Sequence, residues 1–265
     1  MTSARRMELR LNAWRSFRGI ARASRTLAAT QALHWAEHLR RVAIHESWCV
    51  RLASRFSGSS TGPGRVTVAI GTDLGLCGPL NARVADAVRA LSVGSSERWV
   101  LVGERLANEL HFEPPREHAL QLPVPSSFAA VEATAAELGI LSGVDPTTTQ
   151  LRIVLASSVE QDGAPCTSVW NAAPSHDHSH ELLRGTALTP DDALRDEATR
   201  LLWHARLCHA LTRAATSEAE ARLRAMSRAH DASDRKIGEQ ERELRKLRQE
   251  SITQEMLEIR QLRTP

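Results

Sequence analysis

Both ends of this 265-residue chain are long stretches that almost lack helix-breaking residues. From Met7 to Phe56 there is no proline, and Gly19 is the only glycine. After Pro190 no proline appears before Pro265, and Gly238 is the only glycine. Because proline and glycine end or weaken helices, each stretch predicts one long helix. At 1.5 Å per residue the two helices would be roughly 75 and 100 Å long, so we expect them to project from the rest of the chain or to pack along one another.

The C-terminal stretch also has a seven-residue pattern, which is typical of helices that pair. Its two adjoining rows are Leu223, His230, Ile237, Leu244 and Met226, Ser233, Gln240, Leu247. Three of these eight residues are polar, so the pattern predicts a loose antiparallel pair rather than a strong zipper. In the segment 234–250, 11 of 17 residues are charged. This is consistent either with a solvated helix face or with charged flanks that meet other subunits.

Between the two stretches, predicted strands alternate with predicted helices. A linker at Ser57–Gly64 precedes them. Predicted strands are Arg65–Gly71, Arg98–Gly103, His118–Val124, a strand from Leu151 and Thr167–Trp170; predicted helices are Ala82–Leu91, Glu104–Leu110 and Phe128–Leu141. This alternation predicts the α/β class, as a small domain with a mainly parallel sheet inserted between two long terminal helices that form an antiparallel coiled coil. The predicted domains are 1–57, 58–189 and 190–265.

Composition weighs against several classes of function. Aromatic residues are 4% of the chain and tyrosine is absent, so a base-stacking surface has few residues to build it. The net charge of +3 comes from 34 basic and 31 acidic residues that nearly cancel, so nucleic acid is not an expected partner. The four cysteines form no CxxC pair, which favours free thiols in a reducing compartment. No apolar run is long enough to enter a membrane, so we expect membrane association only through partners.

A glycine-rich turn follows the first predicted strand. Its glycines, at 71, 75 and 78, fit neither of the common phosphate-binding spacings, and no lysine follows. We therefore expect a structural turn and no cofactor. In it, Gly75 and Gly78 would adopt positive φ, Asp73 or Asn81 would cap a neighbouring helix, and Cys77 would be buried.

Histidines suggest a metal at one place only. His176, His178 and His180 alternate in a polar loop, which is more often solvated than a metal site, so no metal is expected. His204, Cys208 and His209 are expected to be surface or interface residues of the long helix. Trp14, Trp35 and Trp203 are expected to pack the seam between the two helices.

Two segments carry a resemblance to a known family. The first, 69–88, contains Gly-Leu-Cys-Gly at 75–78 after the first strand. The second contains Ser-Glu at 217–218 and Ala-Met at 225–226, then Arg-Gln at 248–249 and Ile-Thr-Gln-Glu at 252–255. In this order they resemble the gamma subunit of F-type ATP synthases, over nearly the whole chain. Leu74, Pro79 and the charged C-terminus depart from the family pattern, which indicates a divergent branch such as the alternate bacterial F-type ATPase.

The resemblance implies a non-catalytic rotor stalk that couples rotation of the membrane ion-driven ring to conformational change at the catalytic beta subunits. Implied partners are the alpha, beta and epsilon subunits and the c-ring, at the cytoplasmic face of the bacterial inner membrane. In the family the Arg-Gln pair engages a loop of the beta subunit, which implies a contact through Arg248 and Gln249, with Thr253 and Glu255 in the same segment.

Two other functions are compatible with the predicted architecture. One is a nucleotide- or small-molecule-binding α/β enzyme dimerised by its long helices, and the other is a free coiled-coil adaptor. No nucleophile with a nearby base is evident in the sequence. An enzyme has no need for the paired segments at the end of the last helix, so these segments favour the rotor stalk.

Overall fold

The computed structural model describes residues 3–56, 64–91, 97–110, 119–141, 145–161, 164–171 and 191–262. Two helices account for most of them, α1 (Ser3–Arg55) and α5 (Asp191–Leu262). Their lengths confirm the prediction drawn from the scarcity of proline and glycine. The chain divides into two compact units, one of Thr30–Ala221 and one of Met1–Ala29 with Arg222–Pro265. Both α1 and α5 contribute to each unit.

The Thr30–Ala221 unit contains a five-stranded sheet. Its strands are β1 (Gly64–Ile70), β2 (Glu97–Val102), β3 (Leu120–Leu122), β4 (Thr149–Gln161) and β5 (Ala164–Asn171). The order is β3-β2-β1-β4-β5, with β1 central and parallel to both neighbours, and only β5 runs antiparallel, against β4. The predicted mainly parallel sheet is confirmed. The helices between the strands are α2 (Leu80–Arg89), α3 (Glu104–Glu109) and α4 (Phe128–Leu141).

The sheet is covered on both faces, which explains why β1, β2 and residues 151–156 of β4 are mostly apolar. Because successive side chains alternate between faces, β1 divides its residues between two cores. Val68 and Ile70 pack with residues of α4, α1 and α5, whereas Ala69 packs with residues of α2 and α3. Each face therefore carries its own helical layer.

In this unit α5 is surrounded by other elements. Between Leu202 and Ala219 no α5 side chain is exposed. Trp203, Leu207 and Leu211 share a core with the sheet and with Trp35 of α1. Buried hydroxyls satisfy their hydrogen bonds within the helix: Thr212, for example, donates to the carbonyl of Cys208 at 2.8 Å. The prediction that Trp35 and Trp203 pack the seam is confirmed.

The Met1–Ala29 and Arg222–Pro265 unit is an antiparallel helix pair. Leu11 of α1 packs with Ile237 and Leu244 of α5, and Met7 and Trp14 lie against them. All eight residues of the two predicted heptad rows are buried or half-buried. The polar row members also face inward, because the side chain of Ser233 is fully buried and its Oγ donates to the carbonyl of Ala229 at 2.6 Å.

Ion pairs flank this apolar stripe. Their partners lie in α1 and α5 and are mostly exposed: Arg15 with Glu241 at 2.7 Å, Arg18 with Asp234 at 2.9 Å and Arg248 with Glu8 at 2.6 Å. As the residue number in α1 decreases, that of its partner in α5 increases. This order shows directly that the helices run antiparallel.

Two further findings bear on the sequence predictions. Across the described ranges, none of the helices combines the length and the apolarity needed to cross a bilayer. Three cysteines in the described ranges, Cys49, Cys77 and Cys208, are buried free thiols. The histidine-rich loop at 176–180 and the predicted helix start at Pro190 lie outside the described residues.

Candidate functional site

The turn between β1 and α2 is tied back to the sheet by side-chain hydrogen bonds. The Oδ1 of Asn81 accepts from the backbone N–H of Thr72 at 3.0 Å, and the Nδ2 of Asn81 donates to the Oγ1 of Thr72 at 2.9 Å. The backbone N–H of Gly71 donates to the carbonyl of Val102, which joins the ends of β1 and β2. The start of α2 is thereby held against the end of the central strand.

Asp73 joins three loops at the carboxyl edge of the sheet. Its Oδ1 accepts from the backbone N–H of Glu104 at 2.8 Å, and its Oδ2 accepts from the backbone N–H of Val124 at 2.8 Å. Glu104 is the first residue of α3, so Asp73 caps that helix, whereas α2, which follows the turn, has Pro79 at its N-cap and no side-chain cap there. One carboxylate therefore fixes the segments that follow β1, β2 and β3.

The prediction that Gly75 adopts a positive φ is wrong. The turn has positive φ at Leu76 (69°) and at Gly78 (64°). Gly75 has a different role, because a Cβ atom there would lie 3.2 Å from the guanidinium carbon of Arg105. Glycine at 75 leaves room for that guanidinium. The exposed Leu76 adopts the left-handed backbone conformation, which is unfavourable for leucine.

Cys77 connects the turn to α5. Its side chain is buried, with Sγ 3.4 Å from the carbonyl oxygen of Gly75 and 3.9 Å from Oε1 of Glu218. Ser217 and Glu218 are both buried in α5. The Gly-Leu-Cys-Gly and Ser-Glu segments, which are far apart in the sequence, therefore meet in the fold. Both segments are distinct in the sequence, but no local pattern in it predicts their contact.

A cleft of about 520 Å³ lies beside the turn, and its charges do not suit a nucleotide. Its charged lining consists of Asp73, Glu104, Glu109 and Arg105, three carboxylates against one guanidinium. The N–H group at the start of α3, which an anion could bind, already donates to Asp73. Among the described residues there is also no group of three or more side chains suited to hold a metal. The nucleotide-binding alternative is not supported by this geometry.

A half-buried polar cluster joins α1 and α5 in the Thr30–Ala221 unit. Glu46 of α1 contacts the Nε of Arg206 at 3.6 Å and makes a short hydrogen bond to the Nδ1 of His209. The three side chains are only 13–17% exposed. His209 is an interface residue, as predicted. Glu46 was missed because a carboxylate at a core-facing helix position gives no distinct sequence signal.

The C-terminal end of α5 is exposed on every side. Each side chain from Arg248 to Arg260 is exposed, and these include the apolar residues Ile252, Met256, Leu257 and Ile259. Arg248 is 59% exposed although it pairs with Glu8.

The other candidate contact residues of this segment make hydrogen bonds within α5. Thr253 donates to the carbonyl of Gln249 at 2.8 Å, and Ser251 donates to Glu255 at 3.3 Å. The structure thus leaves all four candidate contact residues on one exposed segment that ends in apolar side chains.

The fold and these surfaces define a class of protein: two long helices paired antiparallel, an inserted α/β sheet, and a turn whose side chains hold neighbouring loops together. Residues 3–261 match the family model described as ATP synthase. The chain therefore belongs to the gamma-subunit family of ATP synthase, the rotor subunit of the central stalk.

Solved structures share this fold at low sequence identity. A chain of the Tetrahymena thermophila mitochondrial ATP synthase central stalk and c-ring is 17% identical, with a TM-score of 0.57 over 79% of this chain and 99% of that one. A chain from the Euglena gracilis mitochondrial ATP synthase, OSCP/F1/c-ring, is 15% identical, with a TM-score of 0.58 over 97% and 94%. A chain from the Euglena gracilis rotor is 13% identical, with a TM-score of 0.55 over 91% and 98%. No curated protein matches the chain significantly.

Proposed function

We propose that this chain couples rotation of a membrane c-ring to conformational change at the catalytic beta subunits of an F-type ATP synthase. Membership of the gamma-subunit family supports this proposal. In this role the chain performs no bond chemistry. It acts through contacts that differ from one catalytic subunit to the next as it turns, so that each subunit in turn prefers a different conformation.

The observation that carries the proposal is the exposed end of α5. Apolar side chains at 252, 256 and 259 follow the spacing of one helix face, and all three are more than half exposed. Exposed apolar faces of this kind mark contacts with other proteins. We propose that the alpha and beta subunits surround this segment.

Arg248 and Gln249 would supply the polar contacts of that interface. A guanidinium can hold a carboxylate through two N–H groups, and only one of its nitrogens is bonded to Glu8. Gln249 can donate and accept beside it. We propose that these two residues engage a loop of the beta subunit, with Thr253 and Glu255 at its margin.

Further partners are proposed at a coarser level. The structural neighbours come from complexes whose titles name F1 and the c-ring, which supports partners of those kinds. We propose the epsilon subunit and the c-ring as partners of the α/β domain, which we place at 58–189 between shaft helices at 1–57 and 190–265. The proposed location is the cytoplasmic face of a bacterial inner membrane, with attachment through these partners.

The decisive experiment purifies the tagged chain from its native membranes in mild detergent. We expect one copy to be recovered with three alpha and three beta subunits, in a complex whose ATP hydrolysis drives rotation. Replacement of both contact residues, Arg248→Ala with Gln249→Ala, should weaken assembly or reduce the torque of the assembled complex.

A matched control replaces another polar pair on the surface of α5, Lys236→Ala with Glu239→Ala. These two side chains pair with each other at 2.8 Å and are more than half exposed. The control should assemble and rotate normally. Unchanged rotation in the Arg248/Gln249 variant would exclude the proposed beta-subunit contact. Recovery of a homodimer free of alpha and beta subunits would exclude the coupling function itself.

A further inference from the structure

Three pairs that consist only of histidine and cysteine lie one helical turn apart on the described parts of the long helices. They are His34 with His38, His45 with Cys49, and His204 with Cys208. Residues at i and i+4 lie on the same face of a helix, so each pair has the spacing at which one transition-metal ion can take two ligands. The three pairs differ in whether their ligand atoms are available.

The two cysteine-containing pairs lack an available thiolate. Burial raises the pKa of Cys49 and raises the pKa of Cys208 to about 12. The thiolate, rather than the thiol, is the form that binds a metal, and both sulfurs stay protonated at neutral pH. Only the His34–His38 pair offers two nitrogen lone pairs.

The two imidazoles are already at the separation that a shared ion requires. Their Nε2 atoms lie 3.1 Å apart. With metal–nitrogen bonds of about 2.0–2.1 Å, that separation corresponds to an angle of about 95–100° at one ion. This angle lies between those of square-planar or octahedral coordination and of tetrahedral coordination. The same contact is a hydrogen bond between the two rings, so the ring that donates must move its proton from Nε2 to Nδ1 before both Nε2 atoms can bind one ion.

One ring of the pair is held in place and the other is accessible. His38 stacks on Phe128 of α4 with ring centroids 4.5 Å apart and planes 10° apart. His34 is exposed, so its ring can turn toward an ion that arrives from solvent.

We propose that His34 and His38 bind one divalent transition-metal ion that prefers imidazole, such as Ni²⁺, Cu²⁺ or Zn²⁺. Water completes the coordination, because the adjacent carboxylate of Glu37 is taken up by Arg40 at 2.5 Å and by Arg41 at 3.2 Å. The bound ion closes one turn of α1 where that helix packs against α4. Because it binds the folded chain, it raises stability with metal concentration.

The test measures the binding of Ni²⁺ to the whole chain by calorimetry. The histidines at 176, 178 and 180 are first removed as His176→Asn, His178→Asn and His180→Asn, so that they cannot compete for the ion. This background should bind one Ni²⁺ per chain, and its thermal midpoint should rise with Ni²⁺.

Loss of one ligand should abolish the chelate. We expect His34→Ala to weaken Ni²⁺ binding at least about tenfold, because the second ligand no longer acts at a high effective concentration. His38→Phe, which keeps an aromatic ring on Phe128, should do the same. The matched control is His45→Ala, an exposed histidine of the same helix, which should bind as the background does.

Two results would overturn the proposal. One is the absence of saturable Ni²⁺ binding in the background. The other is binding that persists unchanged in His34→Ala, which is exposed and does not depend on core packing. Neither result bears on the rotor function, because assembly with the alpha and beta subunits is measured separately.

Discussion

The same two helices pair in both units, yet the pairing is buried to different extents. In the Thr30–Ala221 unit, α5 lies among α1, α4 and the sheet, and Glu46, Arg206 and His209 are enclosed with it. In the unit of Met1–Ala29 with Arg222–Pro265, only a narrow apolar stripe is buried and the ion pairs are exposed. The seven-residue spacing determines which residues face the seam, whereas the neighbouring elements determine how much burial each contact gains.

The largest difference is expected for charged contacts between α1 and α5. Glu46→Ala leaves Arg206 and His209 in the seam without their carboxylate, so we expect the free energy of unfolding to fall by about 3–5 kcal/mol. Urea denaturation followed by circular dichroism measures it. Glu37→Ala is the matched control, because this α1 carboxylate is 45% exposed and pairs with Arg40 and Arg41 of its own helix, and it should cost far less stability. Equal losses in the two variants would contradict the contrast.

Replacement of a buried leucine by alanine should also cost more stability in the Thr30–Ala221 unit than in the two-helix unit. Leu211, 1% exposed, belongs to the core beneath the sheet, and Leu211→Ala should cost about 2–5 kcal/mol. Leu244, 6% exposed, lies in the two-helix seam, where neighbours can close the cavity and water is near. Leu244→Ala should therefore fall at the lower end of that range. Denaturant titration of both variants measures the two losses in the free energy of unfolding. A larger loss for Leu244→Ala would contradict the comparison.

The exposed ion pairs should contribute least. For Arg15 and Glu241, with side chains 49% and 38% exposed, a double-mutant cycle with alanine should give a coupling of about 0.2–1 kcal/mol. Because salt screens exposed charges, the coupling should shrink further at high ionic strength. A coupling that is large and independent of salt would show that the pair is shielded from solvent.

The stability contributions of the two units should change with pH in different pH ranges. Burial lowers the pKa of His38 below its ordinary 6.5, so the unfolded chain binds this proton more readily and stability falls as the pH drops through about 6.5. The bond from Arg18 lowers the pKa of Asp234 below 3.8, so its contribution is present above pH 3.8 and is lost only at lower pH. Thermal midpoints should fall less for His38→Phe than for the unmodified chain between about pH 8 and 5. Asp234→Asn should leave that range unchanged.

Much of the fold could be predicted from the sequence, because helix breakers and apolar strands are local signals. The face of α1 that contacts α5 is harder to recognise in the sequence. Its residues lie seven apart and all are buried: Ala21, Ala28, Trp35, Val42 and Cys49. Because the repeat mixes small, aromatic and sulfur-containing side chains, it has no uniform hydrophobic pattern. Only the constant spacing of seven residues marks it.

The details of the candidate site were harder to predict than the helices. Positive φ falls at Leu76 rather than at Gly75, and the space beside Gly75 is taken by the guanidinium of Arg105, which approaches from α3. The contact of Cys77 with Glu218 joins residues 141 positions apart. Such contacts follow from tertiary packing, which no local pattern reports.

The exposed ion pairs of the two-helix unit also bear on how α1 and α5 are aligned, although each pair contributes little to stability. A heptad seam is nearly self-similar, so one helix can in principle slip by seven residues and still bury an apolar stripe. Slipping α5 one way would set Arg15 against Arg248 and Glu8 against Glu255, and only Arg18, opposite Glu241, would still meet an opposite charge. Slipping it the other way would set Glu8 against Glu241, and only Arg15, opposite Asp234, would still meet an opposite charge. Each displaced alignment therefore loses ion pairs and gains like-charge contacts. The charges thus favour the observed alignment of the two helices over one displaced by seven residues.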